Sequence, residues 1–173
     1  SLTVGSSSGG TAPVLTFDYD ALTSGALIID NGDLSVHPNA TVNHTAGSSV
    51  VVGTVYFDIQ TGSATIHPNG SINVSTKGYL QGEGPGQGVD NTSIPSGAGH
   101  GGYGGSGNVA GGITYGSITA PVDMGSGGGI VNASAGDGGG AIRMNVAGTM
   151  TVNGSLNANG EEGNQVAASR AGG

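Results

Sequence analysis

Ala26-Leu27-Ile28-Ile29-Asp30-Asn31-Gly32-Asp33-Leu34-Ser35-Val36-His37-Pro38-Asn39-Ala40-Thr41-Val42-Asn43 is the stretch that decides the fold. Apolar and polar residues alternate in three short runs, separated by Asn-Gly and by His-Pro-Asn. Such alternation, bounded by Gly, Pro and Asn, marks half-buried strands. About thirty residues on, Val55-Tyr56-Phe57-Asp58-Ile59-Gln60-Thr61-Gly62-Ser63-Ala64-Thr65-Ile66-His67-Pro68-Asn69-Gly70-Ser71-Ile72-Asn73-Val74 repeats the pattern. A third copy, from Ala141 to Gly160, lacks two residues at the His-Pro position. Leu34/Val36, Ala64/Ile66 and Met150/Val152 hold equivalent places, as do Val42, Ile72 and Leu156.

Self-similarity at a period of roughly 20–50 residues is the signature of a solenoid. No helical period separates the strands, which rules against βαβ units and leaves each strand to pair in parallel with its counterpart one turn away. The expected fold is all-β, a right-handed parallel β-helix (β-solenoid) with a glycine-rich ordered insertion. At a strand spacing of ~4.8 Å, about five to seven coils would make a short rod. Alternation alone also suits an antiparallel jelly-roll or sandwich carrying a long glycine loop.

Outward from the repeat, Val14-Leu15-Thr16-Phe17-Asp18-Tyr19 is a further strand with Leu15, Phe17 and Tyr19 on one face. Residues 1–13 are Ser- and Gly-rich and read as an irregular lead-in. Residues 82–140 hold most of the glycine, including Gly99-His100-Gly101-Gly102-Tyr103-Gly104-Gly105-Ser106-Gly107. Ordering glycine costs more backbone entropy than ordering any other residue, so this density signals either a linker or backbones too close for a Cβ. The interspersed His, Tyr, Ile and Pro favour the second, an ordered insertion. A valine at Gly101 or Gly104 should then be destabilising. The whole chain, 1–173, reads as one solenoid domain belonging to a longer polypeptide.

Of 173 residues, 38 are Gly, none is Cys or Trp, and 8% are charged, for a formal charge of −8. With only Lys77, Arg143 and Arg170 as fixed cations, nucleic acid is excluded as a partner, because phosphate contacts need clustered Lys and Arg. No apolar run approaches the ~20 residues of a membrane span. Seven of the 13 asparagines lie in Asn-x-Ser/Thr, namely Asn39, Asn43, Asn69, Asn73, Asn91, Asn132 and Asn153. The excess points to N-glycosylation and an extracellular or cell-surface location, although Asn-Gly turns before Ser/Thr-rich strands also generate such triplets.

The succession Gly99-His100-Gly101-Gly102, Tyr115-Gly116-Ser117 with Pro121, Gly125-Ser126-Gly127-Gly128-Gly129, Gly138-Gly139-Gly140-Ala141-Ile142-Arg143 and Val152-Asn153-Gly154-Ser155-Leu156-Asn157-Ala158-Asn159-Gly160 resembles the glycine-rich, pectin-lyase-like β-helix modules of large secreted proteins. The resemblance covers about residues 78–173. It implies a parallel β-helix, extracellular location and tandem use in long chains, and it implies no catalytic activity.

The chemistry-bearing residues are sparse. His37 and His67 share His-Pro-Asn and should stack on adjacent coils, a pair that reads as a polar turn stack because no third ligand stands at metal-site spacing. Asp18/Asp20, Asp30/Asp33, Asp90, Asp123, Asp137 and Glu161/Glu162 match no calcium-loop spacing. Polysaccharide hydrolases need two carboxyls facing one cleft, and lyases need a cationic base beside an acidic cluster; neither set is present. The expectation is therefore a non-enzyme with no cofactor and no metal. His100 reads as a hydrogen-bonding strut between glycine backbones or, with Tyr103 and Tyr115, as a ligand contact.

Two functions fit. The first is an extracellular structural glycoprotein, a subunit of a stalk, coat or filament that self-associates head to tail. The second is an adhesin or carbohydrate-recognition module presenting its glycine-rich loops.

Overall fold

A computed structural model describes residues 1–7, 12–18, 26–47, 53–120, 122–131 and 135–163. Eleven strands and no helix occur among the described residues: β1 (Leu2–Val4), β2 (Val14–Phe17), β3 (Leu27–Ile29), β4 (Leu34–Val36), β5 (Thr41–His44), β6 (Thr54–Ile59), β7 (Ala64–Ile66), β8 (Ser71–Asn73), β9 (Ala141–Val146), β10 (Met150–Val152) and β11 (Ser155–Asn157). They form three sheets, ordered β1-β4-β7-β10, β2-β5-β8-β11 and β3-β6-β9. Successive strands therefore visit the three sheets in rotation, which is a solenoid-like course. Every pairing among the described residues is parallel, which sets the antiparallel sandwich aside.

The register follows the repeat. Leu34 lies opposite Ala64, which lies opposite Met150, and Val36, Ile66 and Val152 align in the same way. Val42, Ile72 and Leu156 form the matching column in the second sheet. Because side chains alternate across a strand, in-register pairing sends every second residue inward. Leu34, Val36, Val42, Val55, Phe57, Ile66 and Ile72 have no exposed surface. Phe17 meets Phe57 edge to face at 5.2 Å, joining the second and third sheets. A large apolar side chain buried in this way contributes about 1.5–3 kcal/mol.

Two of the three corners are tight. Residues 30–33 and 60–63 turn the chain from the third sheet to the first, and 37–40 and 67–70 turn it from the first to the second. Asn39 and Asn69 take φ of 64° and 63°, the left-handed region that asparagine tolerates at such bends. The third connection is longer. β5 ends at His44 and β6 begins at Thr54, and in the next layer the connection expands into the glycine-rich insertion, which leaves β8 after Asn73 and returns at Ala141.

Among the described residues the insertion adds no strand, and the stack is four strands deep in two sheets and three in the last, fewer than the coils expected from the sequence. Its backbone groups are instead bonded between glycine segments in steps of three. Tyr79 N donates to Gly125 O at 3.0 Å and Gly82 N to Gly128 O at 2.9 Å. On the other side, Gly125 N donates to Gly139 O and Gly128 N to Gly136 O. A three-residue step is the repeat of a polyproline II helix, and close lateral packing of such helices excludes side chains. Gly125 to Gly129 are all buried. A Cβ on Gly138 would run into Gly125 O, and one on Gly127 into Leu80 O.

The structure corrects two expectations. The lead-in contains β1, which pairs with β4; Leu-Thr-Val is too short a run to stand out beside the Ser/Gly stretch. Glycine packing within 99–107 is also selective. Gly104 has its would-be Cβ against the Gly97 carbonyl, whereas Gly101, Gly102 and Gly105 face open space. Tyr19 of the predicted strand lies outside the described residues.

Gly104→Val should therefore destabilise by ~1–3 kcal/mol or more through overpacking against fixed backbone. Gly101→Val should change stability by no more than about 0.5 kcal/mol. Urea unfolding of the two variants checks this, and equal losses would show that packing at the two sites is alike.

Candidate functional site

The chemistry available to this chain concentrates where segments 97–102 and 112–118 of the insertion cross. Tyr115 N donates to His100 O at 2.9 Å, and the two rings meet edge to face with centroids 4.7 Å apart. Gly116, at φ 80°, turns the chain away beyond them. His100, Thr114, Tyr115, Gly116, Ser117 and Ile118 line a cleft of about 460 Å³, with Ile118 almost fully exposed at its rim. Ser117 Oγ is engaged by the backbone N–H groups of Thr119 and Ala120.

Beneath the cleft runs a chain of hydrogen bonds. Gly86 N donates to Ser126 Oγ at 3.0 Å, Ser126 Oγ–H to the Tyr115 hydroxyl at 2.9 Å, and the Tyr115 hydroxyl to Met124 O. Burial pushes the Tyr115 phenol above its ordinary value, with the Ser126 hydrogen bond opposing and nearby Asp123 reinforcing. Tyr115 is therefore the strut that ties the glycine segments together. His100 Nε2 is enclosed and has no hydrogen-bond partner among the described residues, so the strut expected of His100 is supplied by its neighbour. Tyr103 is 79% exposed and takes no part in the cleft.

His37 and His67 stack as expected, with centroids 4.6 Å apart and planes 9° from parallel. Both Nε2 atoms face Ser35 Oγ, at 3.4 and 3.0 Å. Among the described residues no three His, Asp or Glu side chains gather as a metal site. Several carboxylates serve the backbone instead: Asp33 Oδ1 accepts from Ser63 N, Asp90 Oδ1 from Ile130 N and Asp137 Oδ1 from Gln81 N, each at 2.8 Å.

The sequons occupy different environments. Asn39, Asn69, Asn73 and Asn153 are exposed, and the first two sit on the left-handed corners. Asn43 is half-buried with Oδ1 enclosed, and Asn91 Oδ1 accepts from Ser93 N and Ile94 N in a local turn. Asn132 lies outside the described residues.

One residue escaped the sequence reading. His44 ends β5 with no exposed surface, opposite Phe17, at the corner where the insertion docks. Its Nδ1–H donates to Thr45 O, while Nε2 faces the space beside Gly140 and Nδ1 the space beside Gly53; a Cβ on either glycine would collide with the ring. Met124 of the insertion, fully buried, fills the adjoining space and accepts from Gly53 N through Sδ. The signal was present, since His44 follows Val42 at period two and holds the place that Val74 holds one coil later.

Burial depresses the His44 pKa below its ordinary 6.5, with the Thr45 carbonyl opposing and Lys77 reinforcing. The unfolded chain thus binds a proton that the folded chain refuses. Stability should be full above about pH 6.5 and fall as pH drops from there towards the depressed value, with a limiting slope of about 1.4 kcal/mol per pH unit for one proton. A His44→Leu variant should lose that acid limb in urea titrations run across pH. Tyr115→Phe removes the donor to Met124 O and should cost ~1–3 kcal/mol, read by the same assay. No family model, curated protein or solved structure matches the chain.

Proposed function

We propose that the chain is an extracellular structural glycoprotein, a right-handed parallel β-helix subunit of a surface stalk, coat or filament that extends end to end. The observation that carries this reading is the state of the two end layers. Of the residues in the inward-facing columns, Leu27 is 39% exposed at one end, and Met150, Val152 and Leu156 are 40%, 43% and 40% exposed at the other. The outer edges of β1, β2 and β3, and of β9, β10 and β11, have no neighbouring strand among the described residues. An open edge with apolar side chains is a template for further strands, whether from a second copy or from the next module of a tandem chain.

The outer faces of the first two sheets support the same reading. Thr3, Ser35, Thr65 and Thr151 form one column, and Thr41, Ser71 and Ser155, headed by Val14, another. These flanks are uncharged and hydrogen-bonding, and the resemblance to secreted glycine-rich β-helix modules agrees with them. The exposed sequons at the corners suit glycans coating one flank.

The cleft beside Tyr115 favours a second reading, a carbohydrate-recognition module. A cleft that combines aromatic edges and an exposed Ile118 with the hydroxyls of Thr114 and Ser117 suits a sugar.

Native material examined by electron microscopy and sedimentation separates the two. Long uniform fibres are expected; discrete particles retained on a glycan column would favour recognition, and a soluble monomer at micromolar concentration would end the filament reading. Protein from its natural source should also lose mass when N-glycans are removed enzymatically, and an unchanged mass would exclude glycosylation.

A further inference from the structure

The two residues missing from the third copy leave a mark on the surface. The corner between β7 and β8 is His67-Pro68-Asn69-Gly70, whereas that between β10 and β11 is only Asn153-Gly154. The shorter corner cannot cover the longer one beside it. Asn153 N and Gly154 N both donate to Ile66 O, and Ser155 N to Gly70 O, which draws the short corner inward. What remains is a notch of about 450 Å³, bordered by Asn69 and Ser71 from one layer and by Asn153, Ser155 and Asn157 from the next.

Every lining side chain is neutral, and each one both donates and accepts hydrogen bonds. Two whole sequons, Asn69-Gly70-Ser71 and Asn153-Gly154-Ser155, frame the space. Asn157 Nδ2 donates to Ser155 Oγ at 3.2 Å, and Ser71 Oγ bonds to Thr41 Oγ1 at 3.2 Å, so the hydroxyls along the wall are held in place. Such a wall matches a polyhydroxylated, uncharged ring and nothing ionic.

We infer that the notch seats the first sugar of a glycan carried by Asn69, and that Asn69 and Asn153 are mutually exclusive as acceptors. This rests on the reading of the chain as a glycoprotein. The bond forms between Asn69 Nδ2 and the anomeric carbon of a saccharide activated as its pyrophosphate. The carbon–oxygen bond to the pyrophosphate breaks, the pyrophosphate leaves with that electron pair, and the amide gives up one proton. Asn69 is the acceptor because it projects from the longer corner at φ 63° and is exposed. Asn153 stands on the retracted corner of the next layer and borders the same notch. A sugar on Asn69 then fills the space that one on Asn153 would need, and the Asn153 amide becomes one of its hydrogen-bond partners.

The test is glycopeptide mapping and intact mass on protein from its natural source, beside Asn69→Gln and Asn153→Gln expressed in the same cells. Asn69 should be occupied and Asn153 bare on the same molecules. Asn69→Gln should raise Asn153 occupancy several-fold, and Asn153→Gln should leave Asn69 unchanged. Molecules carrying both glycans, or glycans at Asn39 and Asn73 with neither notch site used, would overturn the inference while leaving the glycoprotein reading standing. A chain with no glycan at any sequon would overturn both.

Discussion

Parallel, in-register pairing is the constraint on which the molecule depends. It places each residue beside its own equivalent in the neighbouring layer, so like stacks on like along the sheets. Apolar columns such as Leu34–Ala64–Met150 build the interior, hydroxyl columns such as Ser35–Thr65–Thr151 build the outer face, and the two imidazoles of His37 and His67 are brought into contact. A one-residue slip in any layer would turn its apolar residues outward, and this fixes the register firmly wherever one face is buried. Additional residues have room only at a corner, and the longer connection between the second and third sheets is where the chain places them.

The insertion answers a different problem with the same backbone chemistry. It has few apolar side chains to bury, so its segments approach until their amides and carbonyls satisfy one another directly. Buried amides and carbonyls must find partners, and here glycine supplies the access they need. The assembly is then fastened to the stacked parallel sheets by a handful of side chains. Met124 enters beside Gly53, His44 lies between Gly53 and Gly140, and Tyr115 spans from Ser126 to the Met124 carbonyl.

The sequence disclosed the parts of this arrangement that repeat. Three copies with alternating residues and matching corners gave β3 to β11 and the equivalence of Leu34, Ala64 and Met150, because periodicity reports which residues share a face. It gave much less where contacts come from distant, non-repeating segments. Gly101 and Gly104 look alike in sequence, yet only Gly104 has a carbonyl from another segment where its side chain would be. His100 and Tyr115 are equal candidates in the sequence, but which of them bonds the backbone through its side chain depends on where Met124 and Ser126 arrive. The short β1 was hidden for a related reason, since its three residues gain meaning only from the partner strand β4.

The excursion between β8 and β9 also bears on the order in which the molecule assembles. Layers formed before it close over short stretches: Thr41 and Ser71 meet across 30 residues. The layer formed after it closes over far more, with Thr149 and Ser63 meeting across 86. Loop-closure entropy rises with the logarithm of length, so the later closure costs about 1 kcal/mol more while the insertion is still unformed. Once the glycine segments have bonded to one another, that loop shortens to the distance between its two feet at Val74 and Gly140, whose backbones are already joined by Gly140 N donating to Val74 O. The insertion's own internal bonding thus removes most of the loop-closure entropy that joining β9, β10 and β11 to the stack would otherwise cost.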